Sequence, residues 1–297
     1  MHATRPGRCF AAALILCGTL TVVCESHAES PNRKGAKKYS LRYKFQSGEV
    51  LRYKVKHAAN IRSNIDGTSQ EVETRSESVK AWKVTDVLPS GEIQFVHLVE
   101  SVKMSNRTPG KGETSYDSTA DEEPPKGYET AARAIGIPLS VLKISPSGDI
   151  LDREEKHPQP PTSDDLPITL ELPGKPIAVG EKWTTTYEIE AERKGGTKTE
   201  VRTRRLCRLK SVSRGVAAIE VKYDVLTPIS PYIEAQLVQR LTKGLVRFDI
   251  EAGRFISQRQ DVDKNILGFA GATSSMRYES RFREDLIAPQ KKVARKR

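Results

Sequence analysis

Three features of the sequence predict a mainly β protein. Apolar and polar residues alternate with period two, glycine turns separate the alternating runs, and both recur in the same order twice along the chain. The expected fold is an antiparallel sheet of two related halves, curved as a half-barrel, with one or two short helices. In Leu51–Ile61 apolar odd positions oppose basic or polar even ones, and Trp183–Ala191 and Ala217–Val225 repeat the pattern. Such alternation marks strands with one buried and one wet face. Ile93–Val99 is apolar on both faces and reads as a more central strand.

The turns fall where hairpins need them. Leu88–Glu92, Ser145–Asp149, Ser213–Gly215 and Glu251–Gly253 each combine glycine with small or polar residues, and glycine supplies the positive φ of tight turns. Gly48-Glu49 before a strand matches Gly180-Glu181 before another. The hairpin at Gly91 matches that at Gly215, a helix ending at Gly136 matches one ending at Gly244, and the turn at Gly148 matches that at Gly253. Ser230-Pro231 supplies an N-cap and a first-turn proline for the second helix, and residues 127–136 hold the first. The polar stretch Asn106–Lys126 reads as a loop inserted in the first half.

The ends of the chain carry other signals. Arg5 and Arg8 precede an apolar run from Phe10 to Val23, and Ser26-His27-Ala28 offers small residues before a cut after Ala28. This is the form of a secretory signal peptide, and its run is shorter than the ~20 residues of a spanning helix. Export to the periplasm or the exterior is expected, with no stable transmembrane segment; lipid anchoring at Cys24 is the disfavoured alternative, because Val23 is not small. After cleavage only Cys207 remains, so no internal disulfide can form. The net charge of +11 sits mainly in two tails, +3 in residues 29–38 and +5 in residues 289–297, while residues 39–288 carry +2. The near-balanced body disfavours nucleic acid as a partner; the tails suit an anionic cell-envelope component. The boundaries are then a signal peptide (1–28), a basic tail (29–38), a first β half (39–156), a proline-rich connector (157–176), a second β half (177–288) and a basic tail (289–297).

Pro176–Trp183 (Pro-Ile-Ala-Val-Gly-Glu-Lys-Trp) and Val246–Ser257 (Val-Arg-Phe-Asp-Ile-Glu-Ala-Gly-Arg-Phe-Ile-Ser) resemble phrases of uncharacterised secreted β-proteins of environmental bacteria, a domain of unknown function. Members of that group resemble the open half-barrels of periplasmic lipid and lipoprotein carriers. The resemblance spans most of residues 39–288 and implies fold more than function. It brings no catalytic residues.

The residues themselves nominate no catalytic centre. No nucleophile elbow, zinc helix or phosphate loop occurs. His57 and His97 lie in strand patterns and read as structural, and Cys207 shares the apolar side of its strand with Leu209. Asp261-Val-Asp263-Lys-Asn265 begins like a calcium loop, but Ile266 and Ala272 stand where glycine and glutamate are required. No metal or other cofactor is expected. Tyr53, Trp183, Tyr187 and Tyr223 lie on the apolar faces of their strands, either as core or as the lining of a concave sheet that holds an apolar ligand. The expected function is an exported, non-enzymatic binding or carrier module. The alternative is a structural envelope protein attached through its tails, and an enzyme with a dispersed site is less favoured.

Overall fold

The computed structural model describes residues 35–120, 123–157 and 168–288. The expected signal peptide, residues 29–34 of the N-terminal tail, residues 158–167 of the connector and the C-terminal tail lie outside them. Strands make up 60% of the protein, arranged as one large antiparallel sheet that does not close into a barrel.

The first half contributes β1 (Lys38–Tyr39), β2 (Val50–Ile65), β3 (Thr68–Val87), β4 (Ile93–Thr108), β5 (Gly112–Asp117), helix α1 (Glu129–Arg133), β6 (Pro138–Ile144) and β7 (Ile150–Glu155). The second contributes β8 (Ile177–Ala178), β9 (Lys182–Glu192), β10 (Lys198–Ser213), β11 (Val216–Val225), helix α2 (Pro231–Leu237), β12 (Lys243–Asp249), β13 (Arg254–Leu267) and β14 (Ser275–Leu286). Across the sheet the order is β7-β6-β4-β3-β2-β14-β13-β12-β11-β10-β9, with β5 beside the outer part of β4 and β1 paired with β8. The seam between the halves is the β2–β14 ladder.

Two Gly-Glu strand entries make matching contacts. Gly48 N–H donates to Val84 O (3.0 Å) and Val84 N–H to Glu49 O (2.9 Å). In the second half Gly180 N–H donates to Leu209 O (2.7 Å) and Leu209 N–H to Glu181 O (3.0 Å). The two Gly-Glu entries therefore brace the same place on equivalent hairpins. The turns at Gly148 and Gly253 are equivalent as well, and the segment Leu41–Phe45 crosses both. Tyr43 N–H bonds to Pro146 O and Lys44 N–H to Gly253 O. A Cβ on Gly148 would stand 2.5 Å from the Tyr43 ring, and one on Gly253 would stand 2.5 Å from the Lys44 nitrogen. Both glycines also adopt positive φ (89° and 63°), so the crossing needs glycine for space and for conformation.

Curvature follows from which side chains meet. Tyr53, Trp82, Phe95 and Leu142 of one wing share a single core with Leu209, Ile219, Val246, Phe248 and Phe255 of the other. Strands well separated in the sheet order touch, so the inner face is concave. The segments Leu41–Phe45 and Leu170–Leu172 close one end of it, with Tyr43 edge-on to Phe248 at 5.6 Å and Phe45 edge-on to Trp82 at 6.2 Å. Helix α2 and the 3₁₀ turn Val238–Arg240 straddle the concave side toward its other end. Ile233 and Leu237 pack on β9 and β10, and Val238 packs on residues of β2, β13 and β14.

Two sequence expectations are corrected. The stretch Asn106–Lys126 is not a loop throughout: its first part completes β4 and folds back as β5, with Lys103–Thr108 laddered to Gly112–Asp117. Most of this hairpin is wet on both sides, so the apolar alternation that betrays a strand is missing; only Tyr116 of β5 is buried. Residues 121–122 lie outside the described residues. Gly244 does not stop α2, which ends at Leu237 and passes through the 3₁₀ turn. It lies inside β12, opposite Gln260, where a Cβ would fall 1.9 Å from Arg259 O. Gly244 is required for close backbone approach rather than as a cap. The N-cap itself is as read, with Ser230 Oγ accepting from Ile233 N–H.

Candidate functional site

Period-two geometry sends every second residue of a strand inward. On β10 the inward series is Val201, Thr203, Arg205, Cys207 and Leu209. On β14 it is Tyr278, Ser280, Phe282, Glu284 and Leu286. Most members of both series suit a core, and each series carries one charged residue. The two wings enclose a cavity of about 470 Å³ between them, walled by Val55, Val99, Val221, Val246, Phe255 and Phe282 and by the polar groups His97, Ser78, Lys80, Arg205, Gln258 and Glu284. Ile168–Leu170 bound it near the closed end and Gln239 and Thr242 near α2. The volume falls among those of small-molecule sites, roughly 300–1,000 Å³. A second depression, around Ala58 on the outer face, is lined by Arg75, Arg259 and Arg281 and lies outside the concave wall.

Two ion pairs are built into the inner face. Glu284 is fully buried and meets Lys80 of β3 across β2, while Gln258 Nε2 donates to its other oxygen. The Lys80 ammonium lies 5.3–5.9 Å from the ring centres of Tyr53, Trp82 and Phe255, within the range of cation–π attraction. The second pair joins Arg205 to Glu171, Nη2 to Oε2 at 3.4 Å. Arg205 is 2% exposed. Its Nη1 donates to Thr169 O and to the Tyr223 hydroxyl, both at 3.4 Å, and its guanidinium carbon lies 5.3 Å from the centre of the Tyr187 ring. Among the described residues its Nε and Nη2 have no hydrogen-bond partner. Burial works against the charge of Arg205, but Tyr223, Tyr187 and Glu171 outweigh it and hold its pKa above the ordinary value.

Other titratable groups are shaped by the same dry interior. Burial first, and then the nearby Lys80 and Arg153 charges, lower His97 to about 3, so it is neutral at physiological pH. Burial also lowers His57 and pushes the Cys207 thiol up to about 12. Burial holds Tyr187 well above the ordinary phenol value and raises Tyr223 as well.

The four aromatics singled out in the sequence take different places. Tyr223 lines the cavity. Tyr187 stacks beside Arg205 at the rim of that wall. Trp183 is half-buried, and its indole N–H donates to Glu171 O at 2.9 Å, which holds the segment that carries Glu171. Tyr53 lies entirely in the core, stacked on Phe255 at 4.4 Å. Its hydroxyl donates to Phe255 O. Three of the four therefore gather near Arg205, directly or through Glu171, while Tyr53 belongs to the packing beneath Lys80. Arg205, Lys80 and Glu284 were not singled out by sequence reasoning. The signal was present as a lone arginine among Thr203, Cys207 and Leu209, and a lone glutamate after Tyr278, Ser280 and Phe282.

The calcium-like run lies on β13. There Asp261 pairs with Arg259 and Asp263 with Arg277. Among the described residues no cluster of three or more histidine, cysteine or acidic side chains is arranged for a metal, and no helix is long and apolar enough to cross a membrane.

No family model matches the chain, and no curated protein matches it in sequence. Several solved structures align with the chain at low similarity. A structure described as lipid–protein interactions in lipovitellin aligns over 82% of this chain at 14% identity with a TM-score of 0.46, and this chain spans 26% of that one. DynF of the dynemicin biosynthesis pathway of Micromonospora chersina aligns over 86% of this chain and 88% of its own at 7% identity and a TM-score of 0.22. A DUF1329 family protein from Desulfovibrio piger aligns over 79% and 83% at 12% identity and a TM-score of 0.14.

Proposed function

We infer that the protein is an exported binding or carrier module, and not an enzyme, whose ligand is an amphiphile held in the cavity between the two wings. The observation that carries this reading is the cavity itself: about 470 Å³ on a concave face, with apolar walls and a few buried polar groups. Ligand sites typically combine those elements, the apolar wall supplying affinity and the polar groups orientation. An open sheet suits reversible loading, because its two edge strands are not joined. The interior groups are also poor catalysts as they stand. Cys207 is held as a thiol, and Glu284 is already engaged by Lys80 and Gln258. Export, with cleavage after Ala28 and two basic tails directed at anionic envelope surfaces, is part of the same proposal, as is the division into two related β halves.

Native mass spectrometry of protein purified from its source tests the reading directly. A co-purified single-chain amphiphile is expected, on a chain beginning at Glu29. Val221→Trp, which fills the wall, should abolish binding of the neutral fluorophore N-phenyl-1-naphthylamine while leaving the melting transition cooperative. Unchanged fluorophore binding in this variant would remove the cavity as the site and favour the structural-envelope alternative.

A further inference from the structure

We propose that Arg205 is the head-group anchor of this cavity, and that the preferred ligand is a single-chain carboxylate. The proposal rests on the carrier reading above and adds the chemistry of the ligand's polar end.

An arginine is rarely buried without a demanding reason, because removing its charge from water is costly unless it is fully engaged. Arg205 is engaged loosely. Its contacts to Thr169 O, the Tyr223 hydroxyl and Glu171 Oε2 all lie at 3.4 Å, whereas charge-assisted bonds typically close to about 2.7–2.9 Å. Among the described residues Nε has no hydrogen-bond partner and Nη2 has only the loose contact to Glu171; these two nitrogens form one edge of the planar guanidinium. That edge presents two parallel N–H groups, the pattern a carboxylate accepts with both oxygens. Arg205 and Tyr223 both line the cavity, so a head group there leaves its chain running along Val221 and Val246.

The surroundings select a single negative charge. Glu171 lies beside the guanidinium, while Glu284 is already paired with Lys80 in the same enclosure, so a doubly charged phosphate meets more repulsion from Glu171 than a singly charged carboxylate does. A cationic head would have to displace Arg205 or face it. A neutral alcohol leaves the Nε–Nη2 edge half satisfied. The source of the grip is also positioned by the fold. Glu171 sits on a short segment pinned by Trp183 to its own carbonyl and by Leu172 N–H to Ser147 O, so the pair holds Arg205 in place before a ligand arrives.

The test uses the mature chain and four probes of equal chain length at pH 8: dodecanoate, dodecanol, dodecyl phosphate and dodecyltrimethylammonium. Each is measured by displacement of N-phenyl-1-naphthylamine. Dodecanoate should bind at least tenfold more tightly than dodecanol, with the phosphate and the ammonium weaker than dodecanoate. Arg205→Met should erase that tenfold preference and leave dodecanol within about twofold. If Arg205→Met fails to fold by circular dichroism, Arg205→Lys keeps the charge and loses the fork, and should still weaken dodecanoate at least fivefold. Equal binding of dodecanoate and dodecanol to the native chain, or an undiminished preference in the folded variants, overturns the anchor while leaving the cavity reading intact. If none of the four probes displaces the fluorophore, the cavity reading and this proposal fall together.

Discussion

Lys80 of β3 and Glu284 of β14 meet inside the curved sheet with β2 between them, and neither reaches bulk water freely: their side chains are 15% and 0% exposed. Charges removed from water in this way gain from each other only about what their desolvation costs. Removing one alone is a different matter, since the survivor keeps the cost and loses the gain. Lys80→Met or Glu284→Leu should each destabilise the protein by ~3–5 kcal/mol. Lys80→Met combined with Glu284→Leu should recover much of that loss. Urea denaturation of the two single variants and the double variant closes the cycle. Additive losses would show that the two residues act independently.

His97 gives the protein a pH dependence of known sign. Its folded pKa is about 3 against 6.5 for the free side chain. Between these values the unfolded chain binds a proton that the folded chain does not, so stability falls as pH falls through this window. His57 is lowered as well and adds in the same direction. Between pH 7 and pH 5 each unit lost should cost up to ~1.4 kcal/mol per fully shifted histidine. Thermal melts should show the decline in the native protein and a flatter profile in His97→Gln. An equal slope in both proteins would remove His97 as its source.

The two tryptophans should report separately. Trp82 is completely buried, stacked on Phe95 at 4.9 Å, whereas Trp183 is half-buried at the rim. Trp82→Ala should cost ~3–5 kcal/mol, the penalty for truncating a large core aromatic. Trp183→Phe keeps the ring and loses the bond to Glu171 O, for ~1 kcal/mol. Acrylamide should quench the fluorescence that remains in Trp82→Phe more than that in Trp183→Phe. Equal protection in the two variants would place Trp183 as deep as Trp82.

Cys207 should be inert while the sheet is intact. Its thiol is buried and pushed up to about 12, and the thiolate is the reactive form. Iodoacetamide at pH 8 should leave the native mature chain unmodified for hours and add one carbamidomethyl group once guanidinium unfolds it. Rapid modification of the native chain would show that β10 opens locally.

How much of this was legible in the sequence depended on whether a residue's partner was near in the chain. Leu51–Ile61 and Trp183–Ala191 announced themselves as strands because one face of each is buried, and the glycine turns fixed most of the hairpins around them. Strand β3 was not announced. Over Thr68–Ser78 nearly every residue is polar and partly wet, so nothing alternates. The site was hidden for another reason. Arg205, Glu171, Lys80 and Glu284 are spread over more than 200 positions and converge only when the sheet curls. Arg205 shares the side of β10 that carries Cys207 and Leu209, but nothing in that stretch of sequence shows Glu171 arriving opposite it from the connector. Tyr53 illustrates the converse, since an inward aromatic looks the same in sequence whether it faces a cavity or supports it from below.

The open sheet leaves two edge strands, β7 and β9, and free strand edges ordinarily recruit others, in the same molecule or the next. Here the edges are alike in charge. β9 ends with Glu188, Glu190 and Glu192, and β7 carries Asp152, Glu154 and Glu155. Several of these acids are paired within their own rim, Glu190 with Lys198, Glu154 with Lys156 and Glu155 with Arg153, so each rim offers an incoming strand a wet, charged surface rather than an apolar one. Gln236 of α2 adds a second guard, bonding both the N–H and the C=O of Glu192 and occupying backbone positions that an incoming strand would use. Charged edges and the Gln236 guard are devices by which an open sheet limits edge-to-edge pairing while its concave face stays accessible.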